Sequence, residues 1–128
     1  MTKILLVDDV PLSVDMQKSA LSRAECEIFT AHSGKDAMEI VYRESPDLIV
    51  LDYFMPEMSG DVCCRKIKSD DSLKDTPVIM LTMEGTDADQ DKAKCYAAGC
   101  DDFLTKPFKA NDFLKKVEKY LDITVREY

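Results

Sequence analysis

The segment "DLIVLD", Asp47 to Asp52, holds four apolar residues in unbroken succession between two aspartates. A strand with one wet face alternates apolar and polar residues. An unbroken run of this length reads instead as a strand covered on both faces, as in the middle of a parallel sheet. "ILLV", ending at Val7 before Asp8 and Asp9, has the same character, and so has "PVIML", ending at Leu81 before Thr82. Two further runs, Glu27–Ala31 and Asp102–Thr105, mix apolar with polar residues and suit sheet edges. The predicted strands are therefore Ile4–Val7, Glu27–Ala31, Asp47–Leu51, Pro77–Leu81 and Asp102–Thr105.

Helical signals separate them. Leu12 to Arg23 repeats apolar residues at Leu12, Met16, Ala20 and Leu21. Ser33-Gly-Lys-Asp36 has capping-box spacing and opens a helix through Tyr42. Ser59 is placed to cap a third helix through Lys68, and Thr86-Asp-Ala-Asp89 opens a fourth, with Gly99 at its left-handed stop. The last helix spans Asn111 to Leu121, with Phe113, Val117, Tyr120 and Leu121 on its apolar side. Strand and helix alternate five times. That order implies an α/β fold, a doubly wound (βα)5 parallel sheet with right-handed crossovers and helices on both faces. One domain is expected over residues 1–121. Residues 122–128 read as a polar tail or the start of a linker.

The composition excludes several function classes. The chain of 128 residues carries a net charge of −8, a surface that repels phosphate backbones, so this domain is not expected to bind nucleic acid directly. No apolar run is long enough for a membrane span, and Asp8 interrupts the N-terminal run too early for a secretory signal. The five cysteines, Cys26, Cys63, Cys64, Cys95 and Cys100, are odd in number and form no CxxC. With His32 as the single histidine, they read as small core residues in a reducing cytoplasm rather than as disulfides or a zinc site.

Ligand sites in open parallel sheets form at the carboxyl ends of the strands. Here those ends carry Asp8 and Asp9, Asp52, Thr82 and Lys106. Carboxylates about 4 Å apart repel by about 4 kcal/mol per pair at an effective dielectric near 20. A divalent cation offsets that repulsion. A small set of hard oxygen ligands suits Mg²⁺, which keeps water and accommodates phosphoryl oxygens. Lys106 and Thr82 then supply a cation and a donor for further oxygens.

Taken together, "ILLVDD", "PDLIVLDYFMPEMSG", "PVIMLT" and "GCDDFLTKPF" resemble the signature segments of the receiver domain of bacterial two-component response regulators. The resemblance runs from about Lys3 to Leu121. It implies a flavodoxin-like sheet with strand order 2-1-3-4-5. It implies that Asp52 is the phosphoacceptor and that Asp9, Asp52 and the Phe54 carbonyl bind Mg²⁺, with Asp8 assisting through water. It implies that Lys106 pairs with Asp52 and then with the phosphoryl group, across a Lys106-Pro107 peptide that is commonly cis. Thr82 and Phe103 take the switch positions. The phosphodonor implied is a sensor histidine kinase or a histidine phosphotransfer protein, and the face of the fourth helix, fifth strand and fifth helix is the implied switching and homodimer surface. Such a domain catalyses only its own phosphorylation and dephosphorylation and is not classed as an enzyme.

Rival readings fit less well. An aspartyl phosphatase needs a second Asp two residues after the nucleophile, where this chain has Phe54. A flavin module needs a phosphate-binding loop after the first strand, where "DDVPLSVD" is acidic. A degenerate receiver acting only by docking is not favoured, since every acceptor-site position is filled.

Overall fold

The structure is a computed structural model that describes residues 1–83 and 88–126. Five strands and five helices alternate: β1 (Lys3–Val7), α1 (Pro11–Ala20), β2 (Glu27–Ala31), α2 (Gly34–Glu44), β3 (Leu48–Asp52), α3 (Gly60–Lys68), β4 (Val78–Met83), α4 (Ala88–Ala97), β5 (Asp102–Lys106) and α5 (Ala110–Tyr120). The strands are all parallel in the order β2-β1-β3-β4-β5. The two mixed-polarity strands are the edges, and the three apolar ones lie inside.

Successive strand residues point to opposite faces, so the apolar runs divide between two cores. Leu5, Val7, Ile49, Leu51, Val78 and Met80 pack against α2, α3 and α4. Ile4, Leu6, Leu48, Val50, Ile79 and Leu81 pack against α5 and the end of α1. Each fully buried Leu or Ile contributes about 1.5–3 kcal/mol. All five cysteines are free, and Cys63, Cys64, Cys95 and Cys100 are core residues. Burial pushes the Cys63 thiol up to about 11 and the Cys64 thiol up to about 12, so both behave as protonated packing groups.

Local signals act as their chemistry requires, with exceptions. The Ser33 hydroxyl accepts from the Asp36 N–H at 3.1 Å and caps α2. Gly99, at φ +98°, ends α4 in a conformation that favours glycine. Ser59 occupies the N-cap position of α3, but its hydroxyl donates to the Asp61 carboxylate instead of capping a backbone N–H. The box at Thr86–Asp89 begins outside the described residues. The apolar positions of α1 require correction: Leu12 and Met16 are exposed, and the helix buries Val14 and Gln17. Pro11, at its first turn, has no N–H to leave unsatisfied.

Past α5 the chain turns back against the segment that joins α1 to β2. Glu25 N–H donates to the Thr124 carbonyl at 2.8 Å, and Arg126 N–H donates to that of Arg23 at 2.7 Å. Ile123 and Val125 pack on the second core.

Candidate functional site

Strand register assembles the site. Val7 of β1 pairs with Leu51 of β3, so Asp8 and Asp52, each one residue further on, emerge side by side. Across the sheet Thr82 pairs with Thr105, which places Lys106 one step beyond. The tight entry to α3 supports the end of β3: a Cβ on Gly60 would collide with the backbone carbonyl of Asp52 and with the Tyr53 backbone.

Asp8 is fully buried and Asp52 nearly so, while Asp9 is exposed. One carboxylate oxygen from each of the three lies within 4.8 Å of the others. The residues therefore fit a small, hard cation, which would neutralise charge that the low-dielectric setting otherwise concentrates. Lys106 Nζ supplies a positive charge, at 2.7 Å from Asp8 Oδ2 and 3.5 Å from Asp52 Oδ2. Its closer partner is thus Asp8, whereas the resemblance pairs it with Asp52.

The two buried carboxylates divide in their proton affinity. Burial works to raise the pKa of Asp8, but hydrogen bonds from Lys106, Ser13 and the Val10 N–H outweigh it and hold this carboxyl below its usual range. Burial and the neighbouring Asp8 charge push Asp52 up to about 7, against the opposing pull of Lys106 and the Phe54 N–H. The proton of the pair belongs on Asp52, because Asp8 holds the shorter lysine contact.

The other expected residues surround this pair. Thr82 is buried, with Oγ1 at 3.4 Å from Thr105 Oγ1. Phe54 donates its backbone N–H to Asp52 Oδ1 at 3.4 Å, and its ring meets Tyr53 edge-on. The Lys106–Pro107 peptide is cis. Phe103 lies farther along the sheet edge, half-buried, with Lys92 Nζ 4.5 Å and Lys116 Nζ 5.9 Å from its ring centre and Tyr96 edge-on at 6.0 Å. His32 is exposed, its Nδ1 3.3 Å from the Asp8 carbonyl.

Sequence reasoning missed Ser13 and Gln17. Both approach Asp8 Oδ2, at 2.6 Å and 3.3 Å. Their spacing of four on one helix is the available signal, since it places both on one face. A cavity of about 630 Å³ opens beside Asp52, floored by Asp9, Asp52 and Lys106 and rimmed by Leu12, Met16, Phe54, Met83 and Phe108.

Known proteins share this fold. The response regulator receiver domain family matches residues 4–118. The DNA-binding dual master transcriptional regulator RpaA of Synechocystis is 35% identical over 126 residues, covering 98% of this chain and 52% of that protein, so the chain spans about half the length of this relative. Chemotaxis protein CheY4 of Vibrio cholerae superposes with a TM-score of 0.85 at 31% identity, over 94% of this chain and 99% of that one. The signal receiver domain of a signal transduction histidine kinase from Syntrophus aciditrophicus gives a TM-score of 0.86 at 32% identity, covering 94% of this chain and 90% of that one. With the acidic cluster, the lysine beside it and the family match over most of its length, this chain belongs to the response regulator receiver domain family.

Proposed function

We propose that Asp52 accepts a phosphoryl group from a phosphohistidine on a sensor kinase or histidine phosphotransfer protein, in a Mg²⁺-dependent reaction. The observation that carries this reading is the convergence of three carboxylate oxygens within 4.8 Å, with Lys106 bridging two of the residues. A carboxylate oxygen of Asp52 attacks phosphorus, the P–N bond to the imidazole breaks, and the imidazole leaves with the electron pair. Asp9 and Asp52, with the Phe54 carbonyl and the neighbouring Asp8, would hold Mg²⁺, which would neutralise charge at the phosphoryl oxygens. Lys106 moves its charge from the carboxylates to the phosphoryl group, and Thr82 donates its hydroxyl to a second oxygen.

The rim around the acceptor supports a protein donor. Leu12 and Met16 expose apolar surface next to Asp52, which suits a partner helix that carries the phosphohistidine on its face. The chain acts only on its own carboxylate, so it is a switch rather than an enzyme with turnover on a separate substrate. The added charge of about −1.5 to −2 draws Thr82 toward the phosphoryl group and frees space for Phe103. That repacks the α4–β5–α5 face, which controls an output domain or partner and serves as the homodimer surface.

The test is phosphorylation by acetyl phosphate or by a phosphohistidine donor, read as a mass increase. The increase should require Mg²⁺ and disappear in Asp52→Asn. A mass increase that persists in Asp52→Asn would overturn the assignment.

A further inference from the structure

Helix α1 buries an amide on its inner face, at a position where packing alone favours a hydrocarbon. Gln17 is fully buried. Its Nε2 lies 3.3 Å from Asp8 Oδ2 and 3.3 Å from Ser13 Oγ, while its Oε1 has no hydrogen-bond partner among the described residues. Ser13, one turn earlier, donates to the same Asp8 oxygen at 2.6 Å. An orphaned buried acceptor carries a desolvation cost that an apolar side chain of similar length would avoid. Stability therefore does not account for Gln17. Its contact with Asp8 does.

We infer that Ser13 and Gln17 are positioning residues for the acceptor site, fixing the Asp8 carboxylate in one orientation beside Asp9 and Asp52. Asp8 Oδ2 takes donors from two sides, Ser13 and Gln17 on α1 and Lys106 at the end of β5. Ser13 and Gln17 sit at i and i+4, so one helical face presents both donors to one oxygen. Partners behind a metal-binding carboxylate set its orientation, and their loss typically weakens metal binding about 10–100-fold. The neighbouring residues Leu12 and Met16 lie on the exposed flank of the same two turns. The segment that fixes Asp8 is thus also the one that borders the open cavity.

The inference rests on the Mg²⁺-binding reading of the site, and the experiment separates the two. The full chain and its variants Gln17→Met, Ser13→Ala and Ser13→Thr are titrated with MgCl₂ by calorimetry, and each is melted without metal. Gln17→Met should melt at or above the parent temperature yet bind Mg²⁺ about tenfold more weakly. Ser13→Ala should weaken binding similarly, and Ser13→Thr, which keeps the hydroxyl, should stay within about twofold of the parent. Mg²⁺ affinity within twofold of the parent in folded Gln17→Met and Ser13→Ala would overturn the positioning role while leaving the metal site intact. If Gln17→Met does not fold, the Ser13 pair decides: unchanged affinity in Ser13→Ala overturns the inference, and loss restored by Ser13→Thr supports it. A parent chain that binds no Mg²⁺ would overturn the acceptor-site reading and this inference with it.

Discussion

Lys106 lies 0.8 Å closer to Asp8 than to Asp52, at 2.7 Å against 3.5 Å. The cation at this strand edge is therefore held chiefly by a carboxylate that is not the proposed acceptor. Asp8 holds the lysine beside the proposed acceptor, and its charge adds to burial in raising the proton affinity of Asp52.

Removing that cation exposes the balance. Lys106→Ala should fold but lose up to about 3 kcal/mol of stability without metal, less than a fully unpaired buried charge would cost, because Asp52 can take a proton. Mg²⁺ should restore much of the loss. The response of α4 and β5 to a phosphoryl mimic should be gone. Thermal melts with and without Mg²⁺ check the first part; unfolding at room temperature in both conditions would show a structural role instead.

The raised pKa of Asp52 predicts a pH signature. Between the ordinary carboxyl value of 3.8 and about 7, the folded chain retains a proton that the unfolded chain has released. The Asp52 contribution to stability thus falls as pH rises across that window, by an amount on the order of a few kcal/mol. Asn cannot ionise. In EDTA, the melting temperature of Asp52→Asn should gain on the parent from pH 4 to pH 7 and level off above it. A gap that stays constant over this range would contradict the assignment of the proton to Asp52.

The lifetime of the phosphoryl group should depend on Phe54. Hydrolysis needs a water held in line behind phosphorus, and the Phe54 ring, partly exposed at the cavity rim, offers that water no hydrogen bond. Phe54→Asn should lose labelled phosphate several-fold faster while still folding and binding Mg²⁺. Equal or slower decay would move control to Met83, which is exposed on the same rim, or to Glu84, which lies outside the described residues.

Gly60 should tolerate no side chain. Its Cβ would press on the Asp52 carbonyl, the Tyr53 backbone and the Met80 sulfur. Gly60→Ala should cost about 1–3 kcal/mol and displace the acceptor strand end, lowering phosphorylation as well as the denaturation midpoint. An unchanged midpoint in urea would show that α3 can shift without strain.

The strands were legible because burial on both faces leaves unbroken apolar runs such as Leu48–Leu51, a pattern that depends little on what surrounds it. The strand-end residues followed, since parallel register brings Asp8, Asp52, Thr82 and Lys106 to one edge. The inner face of α1 was not legible. Leu12 and Met16 are apolar and exposed, while Gln17 is polar and buried, so polarity along the helix points the wrong way. The reason is a carboxylate on another element that needs a donor, and local sequence carries no trace of that need. The preference of Lys106 for Asp8 was hidden likewise, because it depends on distances of less than one ångström.

The attachments of Asp102 give the proposed switching face a stator. Lys116 and Lys119 Nζ and the Tyr120 hydroxyl all donate to this buried carboxylate, at 2.8, 3.3 and 2.9 Å, clamping the first residue of β5 to three side chains of α5. The carboxyl is held down to about 2 by those donors and the Phe103 N–H, against its burial, so the clamp persists at any pH a cell reaches. The α4 side reaches the same strand through the Phe103 ring, by Lys92 and Tyr96. Ring contacts can slide where a set of charged hydrogen bonds must break. In the proposed switch, a rearrangement of this face would meet its firmest resistance at α5, where three side chains hold one carboxylate.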